Sequence, residues 1–119
     1  MKNDVKILGN TIFIACDGRE IYRPLNHIFY CESVCRTCEI KFNTGKIQLA
    51  YIGINKLEQM LPHDSFYKCN RFFIIYFGIL KEASIEDGKI VFQDISLPVS
   101  RDRFSEFMHK AEAFLAANA

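Results

Sequence analysis

The chain has 119 residues, with 15 Lys and Arg against 14 Asp and Glu, for a formal net charge of +1. This length supports one domain with its own core, and 50% hydrophobic with 24% charged residues excludes an intrinsically disordered chain. Near-neutrality also excludes a generally polybasic nucleic-acid binder, so any phosphate-binding surface has to be local.

The first ten residues, MKNDVKILGN, lack the apolar core and small-residue cleavage site of a signal peptide. The longest apolar run, Phe72 to Leu80, is far too short to span a bilayer. Five cysteines, an odd number, point with these features to free thiols in a reducing cytoplasm. No repeat, low-complexity tract or Pro/Ser-rich linker divides the chain, so residues 1–119 read as a single domain. Eleven Phe and five Tyr favour half-buried, pleated surfaces.

In chain order, Thr11 to Ala15 and Arg19 to Tyr22 flank Asp17-Gly18, a two-residue turn signal for a first hairpin. His27 to Ser33 is apolar and aromatic, is preceded by Pro24 and Asn26, and reads as a strand. Cys38, Ile40 and Phe42 then alternate with Glu39 and Lys41. After Asn43-Thr44-Gly45 the pattern returns in Ile47, Leu49 and Tyr51, a hairpin with one wet face.

From Gly53 to Leu61 the period changes. Ile54, Leu57 and Leu61 stand at helical spacing, and Pro62 stops a helix of about two turns. Phe66 to Lys68 predicts a brief strand, and Phe73 to Phe77 a strand that is apolar on both sides. Asp87-Gly88, between Ala83–Glu86 and Lys89–Gln93, is the strongest hairpin signal in the chain. Ile95, Leu97 and Val99 alternate inward. Ser100 is a good N-cap for a terminal helix whose apolar face is Phe104, Phe107, Met108, Ala111 and Leu115. Many short strands with one central and one C-terminal helix exclude a nucleotide-binding fold of alternating strands and helices. The predicted class is mostly β: small antiparallel sheets packed as an elongated sandwich.

Two clusters carry candidate chemistry. Arg101 and Arg103 open the last helix, where cations oppose the macrodipole; free N–H groups at the same end attract phosphate, and two guanidinium groups beside them suit a phosphate or a base edge. In Lys68-Cys69-Asn70-Arg71, two cations border the apolar run and Asn70 adds an amide able to read adenine. On spacing alone, solvated surface residues at the helix start and a charge-protected strand edge account for both clusters better.

Cys31, Cys35 and Cys38 have the C-x3-C-x2-C spacing of a radical-SAM iron–sulfur site. That chemistry needs a far larger barrel, and two of the three lie in strand segments where they serve as apolar fillers. Zinc, with His27 as fourth ligand, lacks the usual second close pair. Cys69 has cationic neighbours able to lower a thiol pKa, but reads better as an inert, half-buried residue. His63 and His109 have no nucleophile or carboxylate at motif spacing. The chain reads as a non-enzyme with no metal or cofactor.

Three stretches together resemble the LytTR family of bacterial DNA-binding domains, over about residues 12–112. They are His27-Ile28-Phe29-Tyr30-Cys31-Glu32-Ser33; Phe66-Tyr67-Lys68-Cys69-Asn70-Arg71-Phe72-Phe73-Ile74-Ile75-Tyr76, similar to the family's F-x-R-x-H-R-S-Y-x-V-N; and Leu97-Pro98-Val99-Ser100-Arg101-Asp102-Arg103-Phe104, similar to its L-P-V-S-R ending. The resemblance implies small antiparallel sheets and recognition of double-stranded DNA by loops in successive major grooves, without a recognition helix. Arg101 matches the arginine near the family's terminal helix. Asn70 and Arg71 match the central contact segment, and Arg36 and Thr37 lie in the loop after the first stretch. The implied function is a transcription regulator on direct repeats in a promoter. Lys68, Arg36 and Arg103 would hold phosphates, and Arg71 and Arg101 would read bases. No receiver domain precedes the resembling segment, so input would come through a signalling partner protein, expression level or a homodimer. Asn70, Phe72 and Tyr76 replace the family's His, Ser and Asn. With the low net charge, these departures support an alternative: a protein-interaction module that kept the fold without tight DNA binding, using an apolar patch at Phe72 or Tyr76.

Overall fold

The computed structural model describes residues 2–119. Strands β1 (Asp4–Leu8), β2 (Thr11–Cys16) and β3 (Arg19–Pro24) form an antiparallel meander. Its second turn is Asp17-Gly18, with φ of 51° and 84°, both left-handed as a two-residue hairpin of this twist requires. The central sheet has five strands in the order β6-β5-β4-β8-β7: β4 (Ile28–Val34), β5 (Thr37–Phe42), β6 (Ile47–Ala50), β7 (Phe66–Asn70) and β8 (Phe73–Tyr76). The third sheet contains β9 (Ser84–Glu86), β10 (Lys89–Phe92) and β11 (Ile95–Pro98), and its Asp87-Gly88 turn has φ of 52° and 73°. Helix α1 is Ile54–Met60 and α2 is Phe104–Ala117. No helix among the described residues is long and apolar enough to cross a membrane.

At β8 the central sheet is covered by apolar residues on both faces, which is why this strand has no polar alternation. Ile74 faces one core with Ile12, Ile14, Ile28, Ile40 and Leu57, supplied by the first sheet, the central sheet and α1. Ile75 faces a second core with Tyr67, Phe77, Ile90, Phe107 and Phe114, covered by the third sheet and α2. The second core is largely aromatic: the Phe77 ring lies 6.0 Å from Tyr67, 5.9 Å from Phe107 and 5.9 Å from Phe114. Tyr76 touches both cores at the end of β8. Its ring lies over Gly78, where a Cβ would meet it at 2.2 Å, and packs 5.3 Å from Phe66 and 5.7 Å from Phe114. Tyr76 is therefore a packing residue and contributes no exposed patch.

Several expectations differ from the structure, beginning with the β5–β6 hairpin: Ala50 turns to the core opposite Cys38, while Ile47 and Tyr51 are 57% and 46% exposed. Strand β1 carries little signal in sequence because its alternation is short, with only Val5 buried. The strand expected from His27 starts at Ile28, since Leu25–His27 form a 3-10 turn. The strand expected to reach Phe77 stops at Tyr76, and Phe77–Lys81 form another such turn. Ser100 is not the N-cap of the last helix: its side chain makes no capping bond and Arg101–Arg103 form a 3-10 turn before α2 begins at Phe104. The Ser100 N–H donates to the Cys69 carbonyl at 2.9 Å, so the chain is pinned to β7 and has to turn tightly before a helix can start. Phe114 also joins the buried face of α2.

Cys31, Cys38 and Cys69 are fully buried, while Cys35 is exposed at a turn. Cys31 and Cys38 share the first core while Cys35 stands outside it, and no cluster of three or more His, Cys, Asp or Glu suited to a metal occurs among the described residues. Burial pushes the Cys38 thiol up to about 11 and the Cys69 thiol from 9.0 up to about 12, and raises Cys31 as well. Iodoacetamide at about pH 8 is expected to modify Cys35 in the folded protein and the four buried cysteines, Cys16 included, only after denaturation, as peptide mass spectrometry would show. Because the unfolded thiol ionises first, the Cys69 contribution to stability is level below pH 9 and falls between pH 9 and about pH 12.

Candidate nucleic-acid interface

Three connections meet at one end of the molecule, and main-chain hydrogen bonds tie them together. The β4–β5 turn neighbours the β7–β8 turn because β4 pairs with β8, and the Ser33 N–H donates to the Phe72 carbonyl at 2.8 Å. The β7–β8 turn is joined in turn to the segment after β11, through Ser100 to Cys69 and through the Asn70 side-chain amide, which donates to the Pro98 carbonyl. Arg36, Arg71 and Arg101 project from these three connections and are all exposed. Among the described residues none of them forms an ion pair.

The β4–β5 turn is unusual. Cys35 and Arg36 both take left-handed backbone, with φ of 47° and 67°, where a side chain is disfavoured and Gly or Asn is the rule. Such conformations persist when the surroundings impose them, and they concentrate at functional sites. Here the Val34–Thr37 pairing and a hydrogen bond from the Thr37 hydroxyl to the Val34 carbonyl close the turn. Cys-Arg carries no turn signal in sequence, so the two-residue hairpin that presents Arg36 emerges only in the fold.

The other residues singled out from sequence are engaged inside the protein. Lys68 donates from Nζ to Asn55 Oδ1 of α1 at 2.6 Å, away from the tip. Asn70 spends both ends of its amide: Nδ2 on Pro98, and Oδ1 as acceptor for the Phe72 N–H at 2.7 Å. It acts as a strut between two loops. Arg103 Nη1 donates to the Lys68 carbonyl at 3.2 Å, latching α2 to β7. Beside it the Tyr67 hydroxyl donates to Glu106 at 2.7 Å, and burial first, then the Glu106 carboxylate, pushes that phenol up to about 12. Lys68, Asn70, Arg71, Pro98, Ser100 and Arg103 line a shallow groove of about 440 Å³. Phe72 is 48% exposed at its rim, and the Arg71 guanidinium lies 5.0 Å from its ring centre.

Residues 18–112 match the family described as the LytTr DNA-binding domain. The chain belongs to the LytTR family. The fold agrees: the solved LytTr DNA-binding domain of a Bacillus cereus protein, described as a methyl-accepting/DNA response regulator, superposes with a TM-score of 0.66 at 18% identity, covering 87% of this chain and 96% of that one. A comparison with curated protein sequences gives no match. The LytTR domain is a DNA-binding module.

Proposed function

We propose that this LytTR domain regulates transcription by binding double-stranded DNA sequence-specifically, with its three arginine-bearing connections entering the major groove. The observation that carries the reading is that Arg36, Arg71 and Arg101, exposed and without ion pairs among the described residues, stand on three neighbouring loops held together by main-chain hydrogen bonds. The two hairpin turns are centred two strand spacings apart, roughly 10 Å, which is comparable to the major-groove width of about 12 Å. Arg71 and Arg101 read guanine edges and Arg36 holds a phosphate. Asn70 and Arg103 set the loops in place and Lys68 adds background attraction. Direct repeats in a promoter, each taking one copy, are the sites such an asymmetric, loop-based reader would occupy.

Selection from random duplexes tests this. A single motif is expected to be enriched, with affinity falling steeply as salt rises, and Arg36→Ala should flatten the log–log salt slope by about 1. If no motif is enriched, sequence-specific recognition is wrong. The exposed Phe72 supports a second reading, a protein-interaction module; weak, salt-insensitive retention on a DNA column would favour it.

A further inference from the structure

Phe72 has no packing role that explains it. Its main chain is clamped on both sides, the N–H by Asn70 Oδ1 at 2.7 Å and the carbonyl by the Ser33 N–H at 2.8 Å. The side chain is thus held at the tip of the β7–β8 turn, 48% exposed, beside Arg71 and on the middle one of the three loops that carry the exposed arginines. A second copy of this chain is a poor occupant, since self-association there would bring like charges together. A polyanion is favoured by the same charges.

Building on the major-groove reading above, we infer that Phe72 recognises the 5-methyl group of a thymine adjoining a guanine held by Arg71. An apolar ring has no hydrogen bond to offer. Of the features that base pairs display in the major groove, the thymine methyl is the one it can select. The Arg71 guanidinium stays 5.0 Å from the Phe72 ring centre, so the two groups travel as a unit with a donor edge and an apolar edge. Successive bases on a strand are about 3.4 Å apart, and that unit spans one base step. The turn thereby reads a two-base feature, and discriminates thymine from cytosine by the methyl that cytosine lacks.

The test uses the duplex selected by the full chain, with each thymine replaced in turn by deoxyuridine, and fluorescence anisotropy as the readout. At one thymine beside an essential guanine, removing the methyl is expected to weaken the unaltered protein about fourfold, the worth of one buried methyl-sized group. Phe72→Ala and Phe72→Ser should bind both duplexes equally and lose the preference for thymine while keeping the guanine. Deoxyuridine tolerated everywhere by the unaltered protein overturns the assignment, as does an equal deoxyuridine effect in Phe72→Ala. So does a change of oligomeric state in that variant without a methyl effect, which would put a second copy on the ring. Failure to select any motif would instead overturn the major-groove reading itself.

Discussion

Arg101→Ala is expected to weaken binding to the selected duplex by about 1–3 kcal/mol, roughly five- to 150-fold, and to relax the preference at one base position. The unfolding midpoint should not move. Arg101 is exposed in the 3-10 turn ahead of α2 and has no ion-pair partner among the described residues, so its removal costs the fold nothing of note. Anisotropy titration and urea unfolding together check both halves. Arg103→Ala and Asn70→Ala provide the contrast. Each removes hydrogen bonds that tie the loops to β7 or β11, so lost affinity should come with lost stability and weaken all sequences alike. Arg101→Ala binding as tightly as the unaltered protein would remove Arg101 from the interface.

Phe77→Ala should cost about 3–5 kcal/mol of folding stability, a large share of the roughly 5–15 kcal/mol that holds a domain of this kind together. Phe77 is fully buried and its ring touches Tyr67 of β7 and Phe107 and Phe114 of α2. Deleting it opens a cavity where β7 and α2 meet, next to the Asn70 anchor at the end of β7 and the Arg103 anchor in the turn that leads into α2. The urea midpoint should fall sharply with the slope unchanged, while the exposed Phe72→Ala should lie within about 0.5 kcal/mol of the unaltered protein. A loss under about 1 kcal/mol for Phe77→Ala would show that the aromatic cluster does not hold α2 in place.

Local chemistry determined much of this protein before any folding was considered. Asp17-Gly18 and Asp87-Gly88 specify tight hairpins because only residues tolerant of left-handed backbone suit such turns. The alternation through Cys38, Ile40 and Phe42 and the helical spacing of Ile54 and Leu57 put apolar groups on one side of their elements. The motif stretches around Phe66–Tyr76 and Leu97–Phe104 marked the family. Other features depended on partners distant in sequence. Cys35-Arg36 is forced into a hairpin by strand pairing that includes β8, and Ser100 loses its capping role to a main-chain bond with Cys69. The fates of polar side chains were decided the same way. Asn70, Lys68 and Arg103 resemble Arg71 and Arg101 as sequence, yet the first three are occupied by Pro98, Asn55 and Lys68 while the other two stay exposed. Propensity and periodicity act over a few residues, so they place elements; which guanidinium remains exposed depends on which carbonyl the fold brings within about 3 Å of it.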